Sequence, residues 1–127
     1  MNTRISYLYR DASNYKMPNE VIVAGFISEH QIDLIMDCLE CREYFIPKQV
    51  GLPEKRFGEW TEDDHCWFEL HKDGFTATGE EAGTEMTADE FVGRFLKAKG
   101  NWKENENGEE YAWRFEQSSV CSAGEVR

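Results

Sequence analysis

The sequence predicts an α+β domain, a mostly antiparallel sheet with two amphipathic helices packed on one face. Three observations carry this. Several short segments alternate apolar and polar residues, two segments repeat apolar residues at helical spacing behind capping residues, and strand-like and helix-like segments do not alternate as βαβ units do. At 127 residues, with 40% hydrophobic and 13% aromatic residues, the chain can bury a core of its own. One domain over residues 1–117 is expected, with a frayed tail over 118–127.

Residues 4–10 set Ile5, Tyr7 and Tyr9 against Arg4, Ser6 and Arg10, which predicts a first strand. Residues 11–20, rich in Asn, Asp and Ser and holding Pro18, read as a loop, and the apolar run 21–26 as a central strand. Ser28 and Gln31 form a capping-box pattern, and Ile32, Ile35, Met36 and Leu39 follow on one helical face. A short extended piece at 44–46 precedes Pro47. Residues 47–61, with two prolines and two glycines, read as a long structured loop of the kind that often carries function.

Residues 65–71 alternate again, Asp73-Gly74 supplies a turn signal, and 75–78 returns, which predicts a hairpin with Gly74 at positive φ. Residues 79–86 read as loop. Thr87 and Glu90 suggest a second capping box ahead of a helix whose inner face is Phe91, Val92, Phe95 and Leu96 and which stops at Gly100. Tyr111, Trp113 and Phe115 predict a last strand.

Charge is distributed unevenly. Residues 59–90 hold eleven acids and one base, Lys72, a net of −10 out of −11 for the chain. Such a field attracts basic partners and repels nucleic-acid backbone, so no direct nucleic-acid binding is expected. The start of the chain lacks an apolar run and no stretch is long enough to cross a membrane. With four cysteines, this favours reduced thiols and a cytoplasmic protein.

The acids flank the expected hairpin on both sides. If both flanks lie at one end of the sheet, Glu59, Glu62, Asp63, Asp64, Glu80, Glu81 and Glu85 form one surface that imitates phosphate spacing and fits a basic protein groove. In size and charge the chain is similar to the small acidic inhibitors that phages and mobile elements direct against nucleic-acid-handling enzymes. A non-enzymatic binding protein with a basic protein partner is therefore the first expectation, and no cofactor is expected.

The alternative is a small-anion binder of nucleotide type. Lys48, Lys55 and Arg56 lie in the long loop with Phe57 and Trp60, cations for a phosphate beside rings for a base, with Arg56 the foremost grip. A metal-dependent hydrolase is the third reading, from Asp63, Asp64, His65 and Glu69, with Glu69 and His71 sharing a strand face. Cys38 and Cys41 have zinc-pair spacing, and His65, Cys66 and His71 could complete such a site. Their place inside an expected helix, without a Gly or Pro knuckle, points to core or surface thiols instead. Cys66 and His71 fall on opposite faces of one strand and do not make a nucleophile pair there.

Overall fold

The computed structural model describes residues 1–103. The expected strand at 111–116 and the tail from 118 lie outside the described residues. A five-stranded, antiparallel sheet and two helices form an α+β fold.

β1 (Asn2–Arg10) is the strand on which the others are assembled. Its alternation places Thr3, Ile5, Tyr7 and Tyr9 in the core. One edge pairs with β2 (Lys16–Val23) over eight residues, from Thr3 opposite Val23 to Arg10 opposite Lys16. β2 therefore begins well before the apolar run that suggested a strand. Pro18 hid it, but β2 is an edge strand, where a missing N–H is tolerated. The connecting loop closes on Asp11, whose Oδ1 accepts the amides of Ser13 and Tyr15, both at 2.9 Å.

α1 (Glu29–Cys38) starts as its sequence predicts. Ser28 Oγ accepts from the Gln31 amide at 3.2 Å, and Gln31 Oε1 accepts from the Ser28 amide at 2.9 Å. The stripe Ile35, Met36 and Leu39 is buried and Ile32 packs at its margin. Cys41 and Arg42 both take positive φ, which turns the chain out of the helix. β3 (Tyr44–Phe45) follows, then a 3-10 turn over Pro47–Val50 closed by Gly51 at φ 80°.

The expected hairpin at Asp73-Gly74 is not formed. β4 (Phe68–Glu69) and β5 (Phe75–Thr78) do not pair with each other; both pair with the second edge of β1. Glu69 lies opposite Leu8 and Phe75 opposite Ile5. An unbroken strand would put residue 72 opposite Ile5, so three residues are looped out. They are the 3-10 turn Lys72–Gly74. The segment is one interrupted strand, and Asp73-Gly74 forms the interruption. Gly74 does not take positive φ; it is needed because a Cβ there would lie 2.5 Å from the Ser6 carbonyl oxygen.

α2 (Ala88–Ala98) begins at Thr87, whose side chain accepts from the Glu90 amide at 3.1 Å. Phe91, Val92 and Phe95 enter the core as expected, but Leu96 is 48% exposed, because the buried stripe continues through Ala98 instead. Ahead of α2, residues 86–88 run beside Ala24, whose amide donates to Met86 O at 3.2 Å and whose carbonyl accepts from the Ala88 amide at 2.7 Å. Both helices join the core face of β1 in one hydrophobic cluster, with Phe45 against Tyr7 and Phe95. Trp102 packs on Phe45 and Phe95 and donates from Nε1 to Cys38 O at 2.7 Å, satisfying a carbonyl at the end of α1.

Gly74→Val is expected to cost about 1–3 kcal/mol through the clash with Ser6. Gly83→Ala, where an added Cβ meets nothing within 4 Å, serves as the control. Equal urea midpoints for the two variants would contradict this register.

Candidate functional site

The long loop between β3 and β4 is clamped onto the open end of the sheet's core face. Three core-face side chains hold it. Tyr7 donates from its hydroxyl to Pro53 O at 2.6 Å. Asn19, buried in β2, accepts from the Lys55 amide at 2.8 Å and donates to Lys55 O at 3.2 Å, as a strand partner would. Tyr9 donates its hydroxyl to Asp64 Oδ1 in a short hydrogen bond and accepts from the His65 amide at 3.3 Å.

At the centre of the clamp lies Arg56. Its guanidinium sits 4.9–5.2 Å from the ring centres of Tyr9, Trp60 and Phe68. Nη1 donates to Glu54 at 2.9 Å, while Nε and Nη2 donate to His65 O at 3.2 and 3.0 Å. The two side chains are only 12% and 2% exposed. Glu54 also accepts the Lys48 amide at 2.9 Å. The expected phosphate grip is therefore an internal charge, with its donors turned to Glu54 and His65. Trp60 is half-buried against it, and only Phe57, Lys48 and Lys55 of that set reach the surface.

Asp64 is likewise internal, 6% exposed, and accepts from the Thr61 amide at 2.8 Å as well as from Tyr9. It is a turn-forming residue and, being buried, is not exposed with the other acids of its flank. His65 Nδ1 accepts the Trp67 amide at 3.1 Å, which fixes the proton on Nε2, and Nε2 donates to Arg10 O at 2.7 Å. Burial pulls the His65 pKa below its ordinary value of 6.5, and the charge of Arg56 pushes the same way. Burial, then the bond to Asp64, pushes the Tyr9 hydroxyl pKa up.

The set Asp63, Asp64, His65 and Glu69 is not assembled. Asp64 serves Tyr9, whereas Glu69 serves Arg10 at 2.8 Å, and Tyr9 and Arg10 point to opposite faces of β1. The zinc set is not assembled either. Cys38 is buried and donates to Leu34 O at 3.1 Å, and Cys66 is buried. Cys41 is exposed on the turn after α1.

The two acidic flanks lie at opposite ends of the sheet. Asp63 accepts from the Ala12 amide at 3.0 Å and from Ser13 Oγ at 2.8 Å, beyond the Arg10 end of β1. Glu80 accepts from Asn2 at 2.8 Å and pairs with Arg4, and the Gly83 amide donates to Ile22 O at 3.0 Å. Eight strand steps, about 27 Å, separate the two ends. The expectation of one joint surface fails because β5 continues the line of β4 along β1 instead of turning back. Glu59, Glu62, Glu80, Glu81 and Glu85 are exposed and Asp63 is partly buried.

A pair of rings missed in the sequence lies beside the first flank. Tyr15, 68% exposed, meets Phe57, 36% exposed, edge-on at 6.3 Å, and Phe57 in turn rests on Tyr9. Tyr15 read only as a loop residue, because nothing local says that residues 11–15 and 57–64 share one end.

No protein-family model, curated protein or solved structure matches the chain. Among the described residues, no helix is long and apolar enough to cross a membrane.

Arg56→Met leaves Glu54 buried without its counter-charge and is expected to cost about 3–5 kcal/mol. The double variant with Glu54→Gln should recover part of that loss in denaturant melts. Were Arg56→Met alone to melt like wild type, the buried pair would be misplaced.

His65 gives a pH signature. Its folded pKa is depressed, so the unfolded chain binds the extra proton first as pH falls. Its contribution is complete above about pH 6.5 and declines as pH drops toward the folded value. His65→Gln should flatten stability against pH below 6.5, and parallel wild-type and variant profiles would refute this.

Proposed function

We propose that the protein is a non-enzymatic binding protein that occupies a basic surface on a protein partner, and that its contact is centred on the end formed by residues 11–15 and 57–64. The observation that carries this reading is the exposed Tyr15–Phe57 pair set among Glu59, Glu62 and Asp63. Aromatic anchors inside a charged rim are the composition of an interaction hot spot. Glu59, Glu81 and Glu85 have no ion-pair partner among the described residues, so their field acts outward.

The far flank at Glu80, Glu81 and Glu85 lies about 27 Å away, across the length of β1. In this reading it contributes long-range attraction rather than contact. A partner whose groove carries Lys and Arg for phosphate suits this charge, as in the small acidic inhibitors of nucleic-acid-handling enzymes. No observation favours the small-anion alternative, because the guanidinium chosen for it is engaged by Glu54 and His65.

The test is affinity capture from host lysate, quantified by mass spectrometry at stepped salt. Tyr15→Ser with Phe57→Ser should abolish retention of the salt-sensitive partner. Glu59→Gln, Glu62→Gln and Asp63→Asn together should lower it roughly tenfold or more, while Glu80→Gln, Glu81→Gln and Glu85→Gln should slow association only. Retention by the double ring variant at wild-type level would overturn the proposal.

A further inference from the structure

On the face of the sheet opposite Tyr9, Glu43 converges with two side chains distant from it in sequence, Glu69 and His71. β3 and β4 pair with Tyr44 opposite Glu69, and the Leu70 amide donates to Glu43 O at 2.9 Å. This pairing brings Glu43 beside Glu69 and His71, the last two sharing a face by strand alternation. Each offers one ligand atom, and the three atoms lie within 4.8 Å of one another. His71 Nε2 is 3.0 Å from Glu43 Oε2.

We propose that Glu43, Glu69 and His71 form a three-ligand site for a divalent transition-metal ion of the zinc or manganese kind. Ligands bound at about 2.1 Å sit about 3.0 Å apart at adjacent octahedral corners and about 3.4 Å apart in a tetrahedron. The Glu43–His71 separation already has this bite. Glu43 and His71 are half-exposed, so small rotamer changes close the remaining distance.

Glu69 gives the site a fixed member. It is 7% exposed, and Arg10 holds its carboxylate through Nε at 2.8 Å and Nη2 at 3.3 Å. Two donors leave lone-pair positions of that carboxylate to spare. Ligating carboxylates are commonly oriented in this way by a second partner. Arg10 also sets the charge: with a neutral imidazole, the group of Glu43, Glu69 and Arg10 sums to −1, enough to attract a dication without chelating it strongly. One imidazole nitrogen with two carboxylate oxygens suits zinc or manganese, whereas magnesium and calcium favour all-oxygen shells. Three protein ligands leave positions open to water or to a partner's side chain.

The site is independent of the partner-binding proposal, because its readout needs no protein partner. Calorimetric titration of the full chain with Zn²⁺, with Mg²⁺ as control, should show one saturable Zn²⁺ site. His71→Ala and Glu43→Gln should each weaken it at least tenfold, whereas Glu62→Gln should leave it unchanged. Mn²⁺ should broaden the NMR signals of His71 before those of His30. The half-exposed positions of Glu43 and His71 make both variants compatible with folding, which circular dichroism checks. Absence of saturable Zn²⁺ binding, or binding at full strength in both variants, would overturn the site.

Discussion

A buried positive charge organises the end of this protein formed by residues 11–15 and 57–64. Arg56 sits inside a triangle of rings with one carboxylate and one carbonyl as its hydrogen-bond partners. A guanidinium withdrawn from water must find such partners or unfold its surroundings. Its partners come from three parts of the chain: Glu54 and Trp60 from the loop, Tyr9 from the central strand, and His65 and Phe68 from β4 and the approach to it. Satisfying one charge therefore fixes the relation of all three. The polar atoms that face inward from the sheet, on Tyr7, Tyr9 and Asn19, follow the same logic, each taking a backbone group or turn carboxylate of the loop.

This clamp explains why a loop of such length can hold a defined surface. Its first part is tied by Tyr7 and Asn19, its middle by Arg56, and its last turn by Asp64 and by Asp63 against residues 12 and 13. The exposed rings and acids of residues 57–63 are thus carried on a supported frame. A preorganised frame loses less conformational freedom on binding, which favours recognition by a small contact.

Much of the fold was legible where local chemistry and tertiary fate agree. The alternation of residues 4–10, the Ser28–Gln31 box and the Phe91–Phe95 stripe each state their structure within one window. Legibility failed where a local signal had a non-local outcome. Asp73-Gly74 is a good turn signal, but whether a turn reverses a strand or only interrupts it depends on which edge the next strand finds. Here β1 offers its second edge to both β4 and β5. Pro18 reads as a strand breaker, yet an edge strand accepts it. The candidate site was less legible than the fold. Arg56 and Trp60 were visible as neighbours, but an arginine amid aromatics reads equally as a ligand grip or as an internal ion pair. What decides is Glu54, two residues away and buried with it. Glu43 carries no local signal for Glu69 and His71, because β3–β4 pairing alone brings them together.

The acidic stretch dominates the composition, yet its chemistry divides in space. Asp64 and Glu69 serve the interior, Asp73 lies in the turn that interrupts β4 and β5, Asp89 and Glu90 open α2, and the two flanks lie at opposite ends of one strand. The central claim is that Arg56 holds the frame of the ring-and-acid end. Hydrogen exchange of the loop amides in Arg56→Met tests it most directly. The Lys55, Thr61 and Ala12 amides, bonded to Asn19, Asp64 and Asp63, should lose protection while amides shared by β1 and β2 keep theirs. Unchanged protection of those three amides in a folded Arg56→Met protein would contradict it.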